Sequence, residues 1–341
     1  MAAKAGGGAE EVPSFNFILQ PEFPINALIL ATEALRICNQ NSGRELFHWR
    51  IVSEDGQPVR ASSGMWMQAD CDFAGAPRAT YTLLFEGNLP TQRNSAKLLN
   101  QLRGAARFGG SVGGVDTGAF ALAQAGLIGE RAAVLHWEAT STFHERFPET
   151  GTKNQLYLID GKRIFCAGGV ATLDMMLDLI GRTYGAALAN EVADALVHTP
   201  RPAHSAQRLG DSAGAKKSLS DRIVAVMESH LDFPLDLDGI AGKLGVSGRT
   251  VVRECRRSFG ETPMRLYLRI RLQAARNILF YEEFSIKDVA VACGFSYPAV
   301  FSRAFRAQFK QTPRAFRASF RNRQKAAVRP EIRRLSVEAA R

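Results

Sequence analysis

The feature that most constrains this 341-residue chain is a pattern that occurs twice near its end. Ile240-Ala241 through Leu244-Gly245-Val246-Ser247 is matched by Val289-Ala290 through Cys293-Gly294-Phe295-Ser296. After a one-residue adjustment, Val251, Arg253, Cys255, Arg256, Phe259 and Thr262-Pro263 match Phe301, Arg303, Phe305, Arg306, Phe309 and Thr312-Pro313. Each copy offers a short helix with a small residue, Ala241 or Ala290, that permits a close helix crossing. A Gly able to turn sharply follows, and then a Ser placed to cap a second helix. The pattern predicts an all-α C-terminal domain with two helix-turn-helix units. Val251, Cys255, Phe259, Phe301, Phe305 and Phe309 are assigned to its core.

In a helix-turn-helix the first residues of the second helix reach base edges, and flanking cations meet phosphates. Those positions are Ser247, Arg249, Thr250 and Arg253 in the first copy, with Gly248 among them. In the second they are Ser296, Tyr297, Pro298, Ala299, Ser302 and Arg303. Arg249 is placed for bidentate contact with a guanine. A helix over Met264–Phe280 separates the copies; about 17 residues at 1.5 Å rise span roughly 25 Å. That is compatible with two recognition helices in successive major grooves, about 34 Å apart on one DNA face.

Charge supports a polyanion partner. Residues 216–341 hold 25 Lys+Arg against 12 Asp+Glu, whereas residues 1–215 hold 18 against 21. A mildly acidic body joined to a basic module reads as a sensor attached to a polyanion binder, which the helix-turn-helix repeat makes double-stranded DNA.

The body alternates strands and helices. Phe15–Leu19, Phe47–Val52, Tyr81–Phe85 and Ser111–Val115 read as strands, and a short apolar strand (AAVL, 132–135) precedes His136. Ile25–Cys38, Lys97–Phe108, Gly118–Leu127 and Thr172–Ala195 have helical spacing. The pattern predicts a flavodoxin-like α/β domain, a mostly parallel sheet with helices on both faces. Boundaries are expected as a disordered leader (1–14), the α/β domain (15–198), a Pro/Ser/Gly-rich linker (199–217), the helical domain (218–320) and a basic tail (321–341). No apolar run approaches the roughly 20 residues that span a bilayer, and the N-terminus lacks a signal peptide's apolar stretch. The five scattered cysteines (38, 71, 166, 255, 293) form no CxxC or paired spacing. That excludes a zinc ribbon or disulfide framework and fits a reducing cytosol. No cofactor, no metal and no membrane contact is expected, and the location is expected to be cytoplasmic.

In GGVDTGAFALAQAGLI (113–128) a strand turns sharply at Asp116 into a helix, the pattern of a nucleophile elbow. His136 and Trp137 follow about 20 residues on. Asp116 stands where a nucleophile would, and a carboxylate is a poor substitute for a thiolate in amide chemistry. Cys166 follows a strand but lacks the turn.

Two resemblances add to this reading. The stretches 240–263, 262–279 and 285–317 resemble the AraC/XylS family. Residues 27–64, the elbow with His136-Trp137-Glu138, and 167–198 resemble PfpI-like, class I glutamine amidotransferase-like domains, as fused to AraC modules in GlxA-type regulators. The first resemblance implies DNA-binding regulation, usually activation through contact with RNA polymerase. The second implies a domain whose hydrolytic relatives carry Cys at the elbow and His as its base; here no catalytic residue is expected. Regulators of this subgroup sense amino acids or small quaternary amines. The ligand-binding candidates are Asp116, as partner of a ligand cation, with Thr117, His136, and the aromatic faces of Trp66, Phe120 and Trp137. A homodimer is expected. Two alternatives stay open: an active amidase or amidotransferase tethered to DNA, and a ligand-independent regulator whose N-terminal domain only dimerises.

Overall fold

A computed structural model describes residues 12–87, 94–129, 131–208, 218–281 and 284–318. Most of the expected leader (1–11), part of the linker (209–217) and the basic tail lie outside the described residues, and the leader's last expected residue, Ser14, already opens a strand. Contacts divide the chain into two units, meeting between Lys217 and Ser218.

The first unit is built on a six-stranded sheet of order β2-β1-β5-β6-β8-β7. The strands are β1 (Ser14–Leu19), β2 (His48–Val52), β5 (Tyr81–Glu86), β6 (Ser111–Asp116), β7 (Tyr157–Asp160) and β8 (Arg163–Cys166). All neighbours are parallel except β7 and β8, a hairpin pair at one edge. A separate antiparallel pair, β3 (Val59–Arg60) and β4 (Trp66–Met67), lies outside the sheet. Phe15, Phe17, Ile18 and Leu19 are all buried, because a central parallel strand is covered on both faces and cannot alternate with polar residues.

Helix α1 (Ile25–Ser42) joins β1 to β2, and α2 (Ala96–Arg107) joins β5 to β6. These two crossovers run in opposite directions along the sheet. With the right-handed crossing that parallel strands impose, they lie on opposite faces. The direction reverses between β1 and β5, and ligands of such sheets bind beyond the carboxyl ends of the strands near that reversal. Asp116 is the last residue of β6, one strand away.

Several expectations are corrected. The helix expected over 172–195 is two, α5 (Ala171–Tyr184) and α6 (Ala186–Ala195), broken at Gly185 with φ 95° and ψ 154°. Both fold back on α1. Residues 132–135 form no strand; a single bridge from Ala133 to Thr152 is the pairing there. Helix α3 (Ala119–Gln124) stops short of Leu127 because Gly126 turns at φ 72°. A further helix, α4 (Thr140–Arg146), follows Trp137. The stretch expected as linker from Thr199 is in its first ten residues tied to this unit: Arg201 pairs with buried Asp174 at 2.9 Å, and Ala203 accepts from Leu156.

The second unit is helical: α7 (Leu219–Glu228), α8 (Leu237–Leu244), α9 (Gly248–Phe259), α10 (Pro263–Tyr281), α11 (Ile286–Ala292) and α12 (Pro298–Phe309). It has two apolar cores. Ile223, Ile240, Val251, Cys255 and Tyr267 form one, and Leu272, Ala290, Cys293, Phe301, Phe305 and Phe316 the other; Phe259 and Phe309 flank them, partly buried. Helix α10 contributes to both cores. Arg271 on α10 donates to the carbonyls of Cys293 and Gly294, both at 2.7 Å, and stacks over Phe295 at 4.2 Å. It therefore pins the second turn in place.

The two turns differ in tolerance. Both Gly245 (φ 66°) and Gly294 (φ 71°) are left-handed. A Cβ at Gly245 would meet nothing within 4 Å, whereas at Gly294 it would lie 2.5 Å from the Leu231 carbonyl oxygen and from Pro234. Gly245→Ala is expected to cost about 1–2 kcal/mol, the ordinary left-handed penalty. Gly294→Ala should cost about 2–4 kcal/mol, because overlap with backbone adds to it. Urea unfolding of the full chain, followed for the helical unit, measures the difference; equal losses would contradict this packing.

Candidate functional site

In the second unit, α8 ends at Gly245 and Ser247 caps α9, its hydroxyl accepting from the Thr250 amide at 3.2 Å. The face opposite the core carries Arg249, Arg253 and Arg256, all exposed. No hydrogen bond or ion pair holds Arg249 or Arg253 among the described residues, whereas Arg257 is bound to Glu254 at 2.6 Å. Helix α12 repeats this arrangement fifty residues later, with Ala299, Arg303 and Arg306 exposed and Phe301 and Phe305 buried.

One expectation about the second copy is corrected. Ser296 does not cap its helix. The extra residue in that turn makes Tyr297 the N-cap, with no side-chain cap bond, and Pro298 takes the first helical position, where its missing N–H costs nothing. Tyr297 is 70% exposed, so its ring is presented outward.

In the first unit the elbow is present as a backbone feature. Asp116 has φ 64°, a left-handed value held by a non-glycine residue, and such outliers persist only where the surroundings over-determine them. Gly114 and Gly118 make the turn possible: a Cβ on Gly114 would lie 2.5 Å from the Gly118 carbonyl carbon. The Asp116 carbonyl accepts from the His136 amide at 3.0 Å, bringing the 131–138 segment onto the elbow. On the other side Gly168 packs so closely that a Cβ there would be 3.0 Å from the Asp116 Cβ.

Asp116 keeps a little accessible surface, yet burial pushes its carboxyl up to about 8, and the nearby Glu138 carboxylate pushes the same way. Burial also lowers the His136 imidazole, opposed by Glu138. Its Nδ1 accepts from the Glu138 amide at 3.4 Å, which suits a neutral ring. Trp137 has the Arg208 guanidinium 4.7 Å over its ring. Asp116, His136 and Glu138 are thus brought together, with the Trp137 ring beside that of His136, centroids 5.8 Å apart. Glu138 was not among the sequence candidates, although it directly follows His136-Trp137.

The other candidates fall elsewhere. Phe120 is wholly buried against Phe143 and Phe147, with ring centroids 5.1 and 6.2 Å away, and is a core residue with no face for a cation. The buried Thr117 hydroxyl is spent on the Gly87 carbonyl at 2.6 Å. Trp66 sits on β4, 42% exposed, and no contact joins it to Asp116 among the described residues. Cys166 ends β8, fully buried, and its thiol is pushed up to about 12 by burial, so it supplies no thiolate near neutral pH. Two cavities lie away from Asp116: one of 170 Å³ around Asn16, Thr82 and Phe108, and a groove of 670 Å³ lined by Phe259, Arg265, Leu272 and Ala304. Among the described residues no group of three or more His, Cys, Asp or Glu is spaced to hold a metal ion, and no helix is long and apolar enough to cross a membrane.

An α/β unit with a nucleophile elbow joined to a double helix-turn-helix defines a class of two-part transcription regulator. The helix-turn-helix domain family matches residues 240–319. The HTH-type transcriptional regulator CdhR of Pseudomonas aeruginosa is 35% identical over 93% of this chain and 95% of its own. The HTH-type transcriptional regulator GlxA of Rhizobium meliloti is 33% identical over 92% and 98%. A ThiJ/PfpI family protein from Pseudomonas syringae shares the fold of the first unit, with a TM-score of 0.50 at 17% identity over 66% of this chain and 93% of that one. The chain belongs to the AraC-type transcriptional regulators of the CdhR and GlxA kind, whose helix-turn-helix domains bind DNA.

Asp116 makes stability depend on pH. Its folded value lies above the ordinary carboxylate range, so the native state binds a proton that the unfolded chain has released between about pH 4 and pH 8. Stability is full below pH 4 and declines as pH rises through that window. Asp116→Asn, which is neutral at every pH, should therefore raise the first unit's melting temperature increasingly from pH 5 to 8 and change it little near pH 4. Thermal melts across that range check this; a gain that did not vary with pH would contradict the assignment.

Proposed function

We propose that this regulator activates a catabolic operon in response to a small cationic nitrogenous metabolite, a quaternary amine or an amino acid, held beside Asp116. The observation that carries the reading is a carboxyl at the elbow with a second carboxylate, Glu138, close enough to act on it, on a segment whose Trp137 ring lies beside His136. A cation there meets two acidic groups, and Trp137 would offer an aromatic face if Arg208 left it. The domain keeps the elbow without its nucleophile, so it binds rather than hydrolyses. The same reading includes a cytoplasmic homodimer that contacts RNA polymerase; the five free cysteines are what a reducing compartment permits.

On DNA, Ser247, Arg249, Thr250 and Arg253 are proposed to enter one major-groove segment. Ser296, Tyr297, Pro298, Ala299, Ser302 and Arg303 are proposed to enter the next. Helix α10 has 19 residues, about 28 Å at 1.5 Å per residue, a length that suits that spacing.

Two measurements test the reading. In a thermal-shift screen of glycine betaine, carnitine, choline, sarcosine and L-arginine, one compound should stabilise the protein, by about 2.7 kcal/mol at a hundredfold excess over Kd. Asp116→Asn should remove that shift. No stabilisation by any of them, or an equal shift in the variant, sinks the effector assignment.

For DNA, an operator obtained by selection with the full chain should bind Arg249→Ala about 5- to 150-fold more weakly and with relaxed preference at one base pair. Arg303→Ala should weaken all sequences alike and reduce the salt slope by about 1. Unchanged affinity of both variants at physiological salt would contradict this placement.

A further inference from the structure

The ten residues that follow α6 and its last turn, 199–208, hold to the first unit by side-chain and backbone bonds, the last of which reach the segment that contacts the elbow. Asp174, buried in α5, accepts from the Arg201 backbone amide at 3.0 Å and from its guanidinium at 2.9 and 3.1 Å. It also meets His198 Nε2 at 2.7 Å. Farther along, the Leu156 amide donates to the Ala203 carbonyl at 3.0 Å. Gln207 then uses its whole side-chain amide: Oε1 accepts from the Trp137 amide at 2.9 Å, and Nε2 donates to the Leu135 carbonyl at 2.9 Å and the Gln155 carbonyl at 3.0 Å. Arg208 covers the Trp137 ring.

Leu135 and Trp137 flank His136, whose own amide is bonded to the Asp116 carbonyl. Gln207 therefore fixes, from 70 residues away in sequence, the segment that closes one side of Asp116. A ligand that needs the indole face must displace Arg208, and one that shifts residues 135–137 must break the Gln207 bonds. The same ten residues lead in sequence toward the DNA-binding unit, which begins at Ser218. Their release would add up to about 33 Å of extended chain to the connection.

We propose that residues 199–208 form a latch, with Gln207 as its catch, that couples the state of the Asp116 site to the length of chain joining sensor and DNA-binding unit. The coupling rests on the effector reading above for its biological use, but the latch itself is testable without ligand. Gln207 is a positioning residue, acting through the backbone of 135–137.

Hydrogen–deuterium exchange on the full-length protein tests it. In Gln207→Ala, amides in 131–138, Trp137 above all, should exchange about 5- to 30-fold faster, the effect of losing one or two net hydrogen bonds. Those in 199–208 should rise with them, while peptides from β5 stay at wild-type rates. Gln207→Glu, which keeps the acceptor and loses the two donors, should show the same pattern. Trp137→Leu should loosen 199–208 in return. Unchanged exchange at 131–138 in Gln207→Ala, or wild-type 199–208 exchanging at the rate of unstructured chain, overturns the latch.

With glycine betaine as probe, a melting shift without altered exchange at 199–208 also overturns it. Absence of a melting shift with all five compounds named above counts against the effector reading alone, and the ligand-free rates then still decide whether the latch exists.

Discussion

The first unit depends on one backbone constraint, the close approach of Gly114 and Gly118 across the turn at the end of β6. With no side chain on either glycine, the strand hands over to α3 within two residues, and Asp116 is left in a left-handed conformation at the carboxyl edge of the sheet. Everything else at the site is hung on that position. The Asp116 carbonyl receives the His136 amide, the Glu86 carbonyl receives the Thr117 amide, and Gly168 closes against the Asp116 side chain. A hydrolase would use the same geometry to present a thiolate. Here the same strain presents a carboxyl group.

The electrostatics of that substitution follow from its neighbours. A buried carboxyl beside an opposite charge would be held ionised, but Asp116 has Glu138 nearby and is held toward its neutral form. An incoming cation would favour the ionised form of Asp116, its attraction offsetting the cost of taking the proton off the buried carboxyl.

How much was legible in the sequence differs between the units for a physical reason. In the helical unit each element carries its own start and stop signals. The helix expected over Met264–Phe280 is therefore found as Pro263–Tyr281, and both expected turns are found at Gly245 and Gly294. The exception, Ser296, fails because a one-residue insertion moves the cap to Tyr297, and a cap depends on register rather than residue type. In the α/β unit the central strands and the elbow turn were legible from apolar runs and glycines. What was lost depends on distant partners. Phe120 looks like any aromatic on a short helix until Phe143 and Phe147, on and just after a helix that was not expected, close over it. The segment 199–208 reads as linker by composition because its anchors, Asp174, Leu156 and Trp137, lie far back in the chain.

The two helix-turn-helix copies are alike in what they bury and unlike in what they present. Core positions 251 and 255 recur at 301 and 305, and exposed Arg253 recurs as Arg303. At the helix start, however, Ser247-Gly248-Arg249 faces Tyr297-Pro298-Ala299 in the other copy. A guanidinium in the first turn of a helix can bond a guanine edge through two donors, whereas an alanine methyl offers only apolar contact, such as to a thymine methyl. Under the proposed placement the first copy carries more of the hydrogen-bonded base readout. The second, with Arg303 and Arg306 along the same face, carries more of the phosphate positioning. Identical scaffolds thus leave specificity to a few residues at the first turn of each helix, and Arg271 matters to both because it keeps the second turn seated on the helix they share.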